Sequence, residues 1–340
     1  MDPSNLSVAK IRQALQAGET SAVEVVKAYL AEIKKQDKEI NAWLFVDEQG
    51  ALQQAQAIDS KSEKGVLAGT VVGVKDNIMV EGLPCTAGSK ILENYKATYD
   101  ATVIKKLKDA GAIILGKLNL DEFAMGSSGE YSAFGATKNP RNKNLVPGGS
   151  SSGPAAAVAA NMCTVALGSD TAGSIRQPAS FCGIVGLKPT YGAISRFGLV
   201  ALASSLDVIG PMAKNLEDAQ AVYDVIYGQD DNDATTIDQK WVKPILELKG
   251  LNIGVPKEFF GPGLEPGVRD SLERAIQDYK KAGANLVEIT LPHAEFGVAD
   301  YQIIMTAEAS SNLARYDGIR YGLSKTSDGE NENELSGVYL

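Results

Sequence analysis

From residue 70 onward, short apolar runs alternate with amphipathic stretches, and this alternation leaves the chain few folds to choose from. Residues 70–74, 112–115 and 165–167 read as short strands, with helical stretches over 100–110, near 153–162 and over 216–226. A last unit reads as strand 251–255, helix 268–282 and strand 286–289, and Gly111 stands where a helix C-cap belongs. Short apolar strands joined by helices bury their side chains by lying side by side under helical layers, which predicts an α/β sheet. The first sixty residues look helical instead. Ile11 and Leu15 mark a short amphipathic turn, and Ser21-Ala22-Val23-Glu24 is a capping box that opens a helix through Leu30 and Ile33. The expected organisation is one domain over 1–340, with 1–65 as its N-terminal helical part and 228–239 as an exposed connection within it. Residues 324–340 are polar and turn apolar only at the end, so the expectation is a domain cut short.

With 340 residues, 44% of them hydrophobic, the chain can bury a large core. Acidic residues outnumber basic ones by 42 to 33, a net charge of −9. That balance opposes unaided binding to a phosphate backbone, whose affinity comes from Lys and Arg; a nucleic acid, if involved, is expected on a partner. Cys85, Cys163 and Cys182 are odd in number and widely spaced, which indicates neither a disulfide framework nor a zinc site and suits a reducing compartment. The start of the chain lacks the basic and apolar regions of a signal peptide, and the weakly polar run 154–168 is too short to span a bilayer. The expectation is a cytoplasmic protein without membrane contact.

Two serine-glycine clusters carry the chemistry: Gly148-Gly149-Ser150-Ser151-Ser152-Gly153, and Gly-Ser-Asp-Thr-Ala-Gly-Ser-Ile-Arg at 168–176. The chain has a single histidine, His293, so a serine hydrolase built from these parts needs another base. Residues 149–153 match G-x-S-x-G, but a nucleophile elbow follows directly on a strand, whereas 139–144 is a polar loop; His293, in Leu-Pro-His-Ala-Glu, reads as a surface loop residue. Residues 111–118 nearly match a P-loop, yet the interior is an apolar strand and Leu118 replaces the magnesium-binding hydroxyl. Ser7-Val8-Ala9-Lys10 fits S-x-x-K on a surface helix without companion motifs. What remains is Ser174, placed after Thr171-Ala172-Gly173 where successive small residues let backbone N–H groups converge as an oxyanion hole. Ser150 lies in the second glycine-rich loop, and Lys75 follows a strand, where α/β proteins expose functional groups. Taken singly, Gly-Ser clusters are usually plain loops and such a lysine is usually solvated.

Lys75, Gly-Gly-Ser-Ser at 148–151 and Gly-Ser-Asp-Thr-x-Gly-Ser-Ile-Arg-x-Pro at 168–178, continuing through Phe181 to Thr190, resemble the amidase signature family. The resemblance covers essentially the whole chain. Residues 119–126, 195–200, 203–207, 308–312 and 315–322 narrow it to the branch formed by the A subunits of bacterial glutamyl-tRNA(Gln) amidotransferases. The resemblance implies a central mixed β-sheet covered by helices on both faces. It implies Ser174 as nucleophile and site of the acyl-ester, Ser150 as proton relay after a cis peptide bond, and Lys75 as base, with backbone N–H groups at Thr171, Ala172 and Gly173 around the oxyanion. It further implies glutamine as substrate, with Tyr301 a contact in this chain, and ammonia handed to a B subunit that holds the tRNA and uses ATP and Mg²⁺ to convert Glu-tRNA(Gln) to Gln-tRNA(Gln). Assembly is helped by a small C subunit, and no cofactor or metal is expected in this chain. A stand-alone amidase of small amides and a catalytically silent scaffold fragment are the alternatives. Two positions depart from the family pattern: Ser152 replaces a glycine at the fifth position of Gly-Gly-Ser-Ser-Gly-Gly, and Ala172 replaces the first glycine of Thr-Gly-Gly-Ser. Alanine at 172 is strained if that position needs positive φ.

Overall fold

The computed structural model describes residues 2–238, 247–320 and 322–323. The polar stretch 324–340, Tyr321 and the last residue of the 228–239 connection lie outside the described residues. Two compact units form: Met1–Asp238 with Glu308–Leu340, and Gln239–Ala307.

In the first unit the chain runs α1 (Val8–Ala17), α2 (Ala22–Ile40), β1 (Trp43–Val46), α3 (Glu48–Asp59), β2 (Val71–Lys75), α4 (Thr102–Asp109), β3 (Ile113–Leu118), α5 (Ser152–Ala159), β4 (Val165–Asp170), α6 (Arg176–Cys182), β5 (Val185–Gly186), β6 (Val208–Ala213) and α7 (Leu216–Ile226). Local chemistry sets the helix ends. Ser7 Oγ accepts the Lys10 N–H at 3.2 Å to cap α1, which is the whole role of the S-x-x-K serine. Ser21 and Glu24 close the capping box of α2, and Asn215 caps α7 through the Asp218 N–H at 2.7 Å. Gly111, just past α4, takes φ 86°, the left-handed conformation that glycine adopts without a Cβ clash.

The strands form one six-stranded sheet in the order β1-β3-β2-β4-β6-β5. β2 is parallel to both β3 and β4, while β1 and β6 run antiparallel to their neighbours. The sheet is therefore mixed. Along a strand side chains alternate between faces, and the core follows that period. Val71, Ile113, Leu115 and Ala166 pack with α2, α3 and α5 on one face. Val72, Val74, Ile114 and Leu167 pack with α4 and α7 on the other. Helices thus cover both faces, as expected for this fold class.

Two strands and a helix depart from the sequence pattern. β1 falls inside the stretch that reads as helical, and pairs with β3 at the sheet edge. β6 contains Gly210 and Pro211, which break strand patterning, yet it pairs with β4 over six positions from Val165↔Ala213 to Asp170↔Val208. α6 starts two residues after Ser174 without a side-chain cap. The second unit contains β7 (Asn252–Pro256), α8 (Pro266–Lys281) and β8 (Asn285–Ile289), with β7 parallel to β8. α9 (Gly297–Leu313) begins in that unit. His293 is exposed at the start of the turn Ala294–Phe296 in the same unit, consistent with a surface loop residue. Among the described residues, no helix is long and apolar enough to cross a membrane.

Candidate active site

Because β2 and β4 are parallel neighbours, their C-terminal ends meet at one edge of the sheet, the edge where α/β folds place ligand sites. Lys75 is the last residue of β2 and Asp170 the last of β4. The loop 148–151 reaches the same edge just before α5, which packs over β2, β3 and β4. Ser174 follows β4 directly.

Lys75 is fully buried, and its ammonium nitrogen is surrounded by oxygen. Nζ lies 2.8 Å from Ser150 Oγ, 2.9 Å from Ser169 Oγ, 3.0 Å from Ser151 Oγ and 3.4 Å from the Ser169 carbonyl. None of these partners is a carboxylate. Burial pushes the Lys75 pKa from 10.5 down to about 7, and the charges of Asp121, Asp170 and Asp207 offset only part of that fall. A lysine at its ordinary value is neutral only about once in 2,500 at pH 7, whereas this one is neutral about half the time. It can take a proton.

The Gly149–Ser150 peptide is cis. The loop that carries it is held from two sides, by Asp121 and by Gln177. Asp121 accepts the N–H groups of Gly129 at 3.1 Å and Tyr131 at 3.0 Å, and its own N–H donates to the Ser150 carbonyl at 3.3 Å. Gln177 accepts the Gly149 N–H at 2.9 Å and donates to the Ser127 carbonyl at 2.8 Å. A Cβ at Gly149 would run into Asp121 Oδ2, so this position requires glycine. Ser152, the first departure, is buried as the first residue of α5 and donates to Thr137 Oγ1 at 3.3 Å, so its hydroxyl is satisfied.

The Ser174 loop is tied down independently. Ser151 N–H donates to the Ser174 carbonyl at 3.2 Å. Asp170, whose burial alone would raise its pKa, is held below the ordinary carboxylate value by Arg176 and by the N–H groups of Ile175 and Arg176. Arg176 grips it at two points, Nε to Oδ2 at 3.1 Å and NH2 to Oδ1 at 3.0 Å. Thr171 Oγ1 donates to Asp207 Oδ1 at 2.7 Å, and Asp207 Oδ2 accepts the Leu202 and Ala203 N–H groups. Between these anchors, the N–H groups of Ala172, Gly173 and Ser174 donate to no protein acceptor among the described residues. Ala172 has negative φ, so its methyl group is unstrained; the unusual backbone falls on Gly173, φ 156°. Ser174 itself is partly exposed, open to a substrate.

Lys75, Ser150, Ser174 and the 171–173 backbone therefore belong to one edge of the first unit. Tyr301 lies on α9 within the second unit, and the site described above is built from the first unit alone. Sequence reasoning assigned no role to Ser151 or Ser169, which touch Lys75, nor to Asp121, Gln177, Asp170 and Asp207, which hold the loops. Each of these stands inside a motif already singled out, Gln177 at its unspecified position before Pro178, but only the folded distances separate a ligand of Nζ from a bystander. Lys117, the lysine of the chance P-loop match, is fully buried and pairs with Asp76 at 2.8 Å, beside Lys75 in the chain. Among the described residues, no group of three or more His, Cys, Asp or Glu side chains is arranged to hold a metal ion.

The sequence model of the amidase family, described as "Amidase", matches residues 24–337. The chain belongs to the amidase family. It is 54% identical over 319 residues to the A subunit of the glutamyl-tRNA(Gln) amidotransferase of Salinibacter ruber, covering 92% of this chain and 62% of that relative. The protein of the same name from Koribacter versatilis is 51% identical over 329 residues, covering 94% of this chain and 68% of the relative. Among solved structures, the A subunit of the glutamyl-tRNA(Gln) amidotransferase of Thermotoga maritima superposes with a TM-score of 0.82 at 44% identity, covering 92% of this chain and 67% of that one. The peptide amidase of Stenotrophomonas maltophilia gives a TM-score of 0.82 at 33% identity, again covering 92% of this chain and 67% of that one. Against the Salinibacter protein, this amidase-family chain spans less than two thirds of the relative's length.

Proposed function

We propose that the chain is the glutamine-hydrolysing subunit of a tRNA-dependent amidotransferase and that Ser174, Ser150 and Lys75 form its proton-relay triad. The observation that carries this reading is the 2.8 Å contact between Ser150 Oγ and the Nζ of a buried lysine lowered to about 7, in a chain whose relatives bear that subunit's name.

Neutral Lys75 takes the Ser150 proton while Ser150 takes that of Ser174, and Ser174 Oγ attacks the side-chain amide carbon of glutamine. The oxyanion that forms is met by the free N–H groups of the 171–174 loop. As the C–N bond breaks, the proton on Lys75 returns through Ser150 to the leaving nitrogen, and ammonia departs. Water then attacks the acyl-ester by the same relay, releasing glutamate and restoring the Ser174 hydroxyl. Tyr301 is a proposed glutamine contact. The ammonia passes to a B subunit that holds the tRNA and binds ATP and Mg²⁺, a C subunit supports assembly, and the complex works in the cytoplasm. The acidic surplus of 42 to 33 residues agrees with tRNA being held by that partner.

Ammonia release from L-glutamine by the full-length protein with its B and C partners tests this, beside Ser174→Ala and an aliphatic amide. Glutamine turnover lost in the variant supports the proposal. Turnover of the aliphatic amide alone makes the chain a stand-alone amidase, and no serine-dependent turnover leaves a scaffold.

A further inference from the structure

We propose that Asn77 is a positioning residue for the Lys75–Ser150 proton transfer, acting through the hydroxyl of Ser169; the inference rests on the hydrolytic reading above. Asn77 lies two residues past Lys75 and is 2% exposed. Its Nδ2 donates to Ser169 Oγ at 2.9 Å, while its Oδ1 is buried with no hydrogen-bond partner. A buried amide with its carbonyl unmet loses hydration without recovering it, so this side chain does little for the stability of the fold. The one side-chain bond it makes goes to an oxygen that touches Lys75 Nζ.

The hydrogen-bond count around Nζ shows why that oxygen matters. A neutral amine has two N–H donors and one lone pair, and only the lone pair can receive the Ser150 proton. Three hydroxyl oxygens compete for these three directions, those of Ser150, Ser169 and Ser151 at 2.8, 2.9 and 3.0 Å, with the Ser169 carbonyl a more distant fourth oxygen at 3.4 Å. The Ser151 proton is committed elsewhere, donated to the Ser169 carbonyl at 3.1 Å, so Ser151 faces the amine as an acceptor. Asn77 pins Ser169 Oγ as the second acceptor. With both N–H groups directed at Ser151 and Ser169, the lone pair is left facing Ser150. Without Asn77 the Ser169 hydroxyl is free to turn to another staggered rotamer. One N–H then swings towards Ser150 and donates to the oxygen whose proton the lysine must accept.

The charged groups around this cluster come from several elements. Asp121 follows β3, Asp170 ends β4 with Arg176 upon it, Asp207 precedes β6, and the paired Asp76 and Lys117 flank Lys75. None is bonded to Asn77 or Ser169 side-chain atoms among the described residues.

Labelling of Ser174 by a fluorophosphonate reads the relay without any assumption about the natural substrate. Ser174 Oγ bonds to phosphorus, fluoride leaves, and the serine proton passes through Ser150 to Lys75. Asn77→Ala and Ser169→Ala in the full-length protein should each slow labelling by about 10- to 100-fold, the scale of a lost alignment. The double variant should be no slower than the worse single one, because both remove the same constraint. Asn77→Asp replaces the Nδ2 donor to Ser169 Oγ with a carboxylate oxygen and adds an anion near Lys75, so the acid limb of the labelling rate should move up by about one pH unit or more. Thermal melting verifies that each variant is folded. Multiplying effects in the double variant, or an unmoved limb in folded Asn77→Asp, would overturn the inference. Wild type that labels at Ser174 but releases no ammonia from glutamine, with variants that show these effects, would uphold the inference and reject only the substrate. Wild type that does not label at Ser174 would reject the relay and the inference together.

Discussion

Replacing Lys75 by Met should change how folding stability depends on pH, and the size of that change follows from the burial of one nitrogen. In the folded protein the lysine titrates near 7, against 10.5 for the exposed group. Between those values the unfolded chain binds a proton that the folded chain does not, so stability rises with pH across that window by up to about 1.4 kcal/mol per unit. The charged lysine opposes folding most below about pH 7, and the opposition fades towards 10.5. Integrated from pH 7.0 to pH 8.5, the lysine should add between about 1 and 2 kcal/mol. Met carries no charge, so its variant lacks this contribution, and any packing difference is the same at both pH values and cancels. Urea unfolding of both proteins at the two pH values, followed by circular dichroism, gives the difference of differences directly. A value near zero would mean that Lys75 titrates like an exposed lysine, and the reasoning that makes it a neutral base at pH 7 would fail. The same midpoint should govern chemistry. The rate of Ser174 acylation should fall below about pH 7 with unit slope as the lysine becomes charged.

Lys117→Met should destabilise the protein by about 3–5 kcal/mol, because it leaves the Asp76 carboxylate buried without its cation; pairing it with Asp76→Asn should restore most of the loss, read by chemical denaturation. Thr171→Val removes the hydroxyl that Asp207 accepts at 2.7 Å, loosening the Ser174 loop, and should lower kcat by about tenfold or more with KM less affected in steady-state assays of the proposed glutamine hydrolysis. Ser21→Ala removes the cap of α2, far in sequence from the site, and should cost about 1 kcal/mol in thermal or urea unfolding while leaving the acylation rate unchanged.

What the sequence determined by itself rests on neighbours a few residues apart. The α2 capping box spans Ser21 to Glu24, and α7 runs over Leu216–Ile226, the bounds that its apolar spacing indicates. Helix and strand periods, turn glycines and the motifs around Lys75, Ser150 and Ser174 are local, so they survive in a string of letters, and the family resemblance is carried by the same runs. Tertiary structure decided the rest, because burial and long-range hydrogen bonds have no local signature. β6 pairs centrally despite Gly210 and Pro211 because β4 and β5 complete it from either side. Lys117 reads as the lysine of a failed P-loop until Asp76 meets it in a site closed to water. Lys75 reads as any lysine after a strand. Its low pKa arises only when serines 75, 76 and 94 residues further along the chain close over it and exclude solvent. The charged form of an amine loses its hydration in such a place, and that loss, set by three-dimensional packing alone, leaves a common side chain able to take a proton near neutral pH.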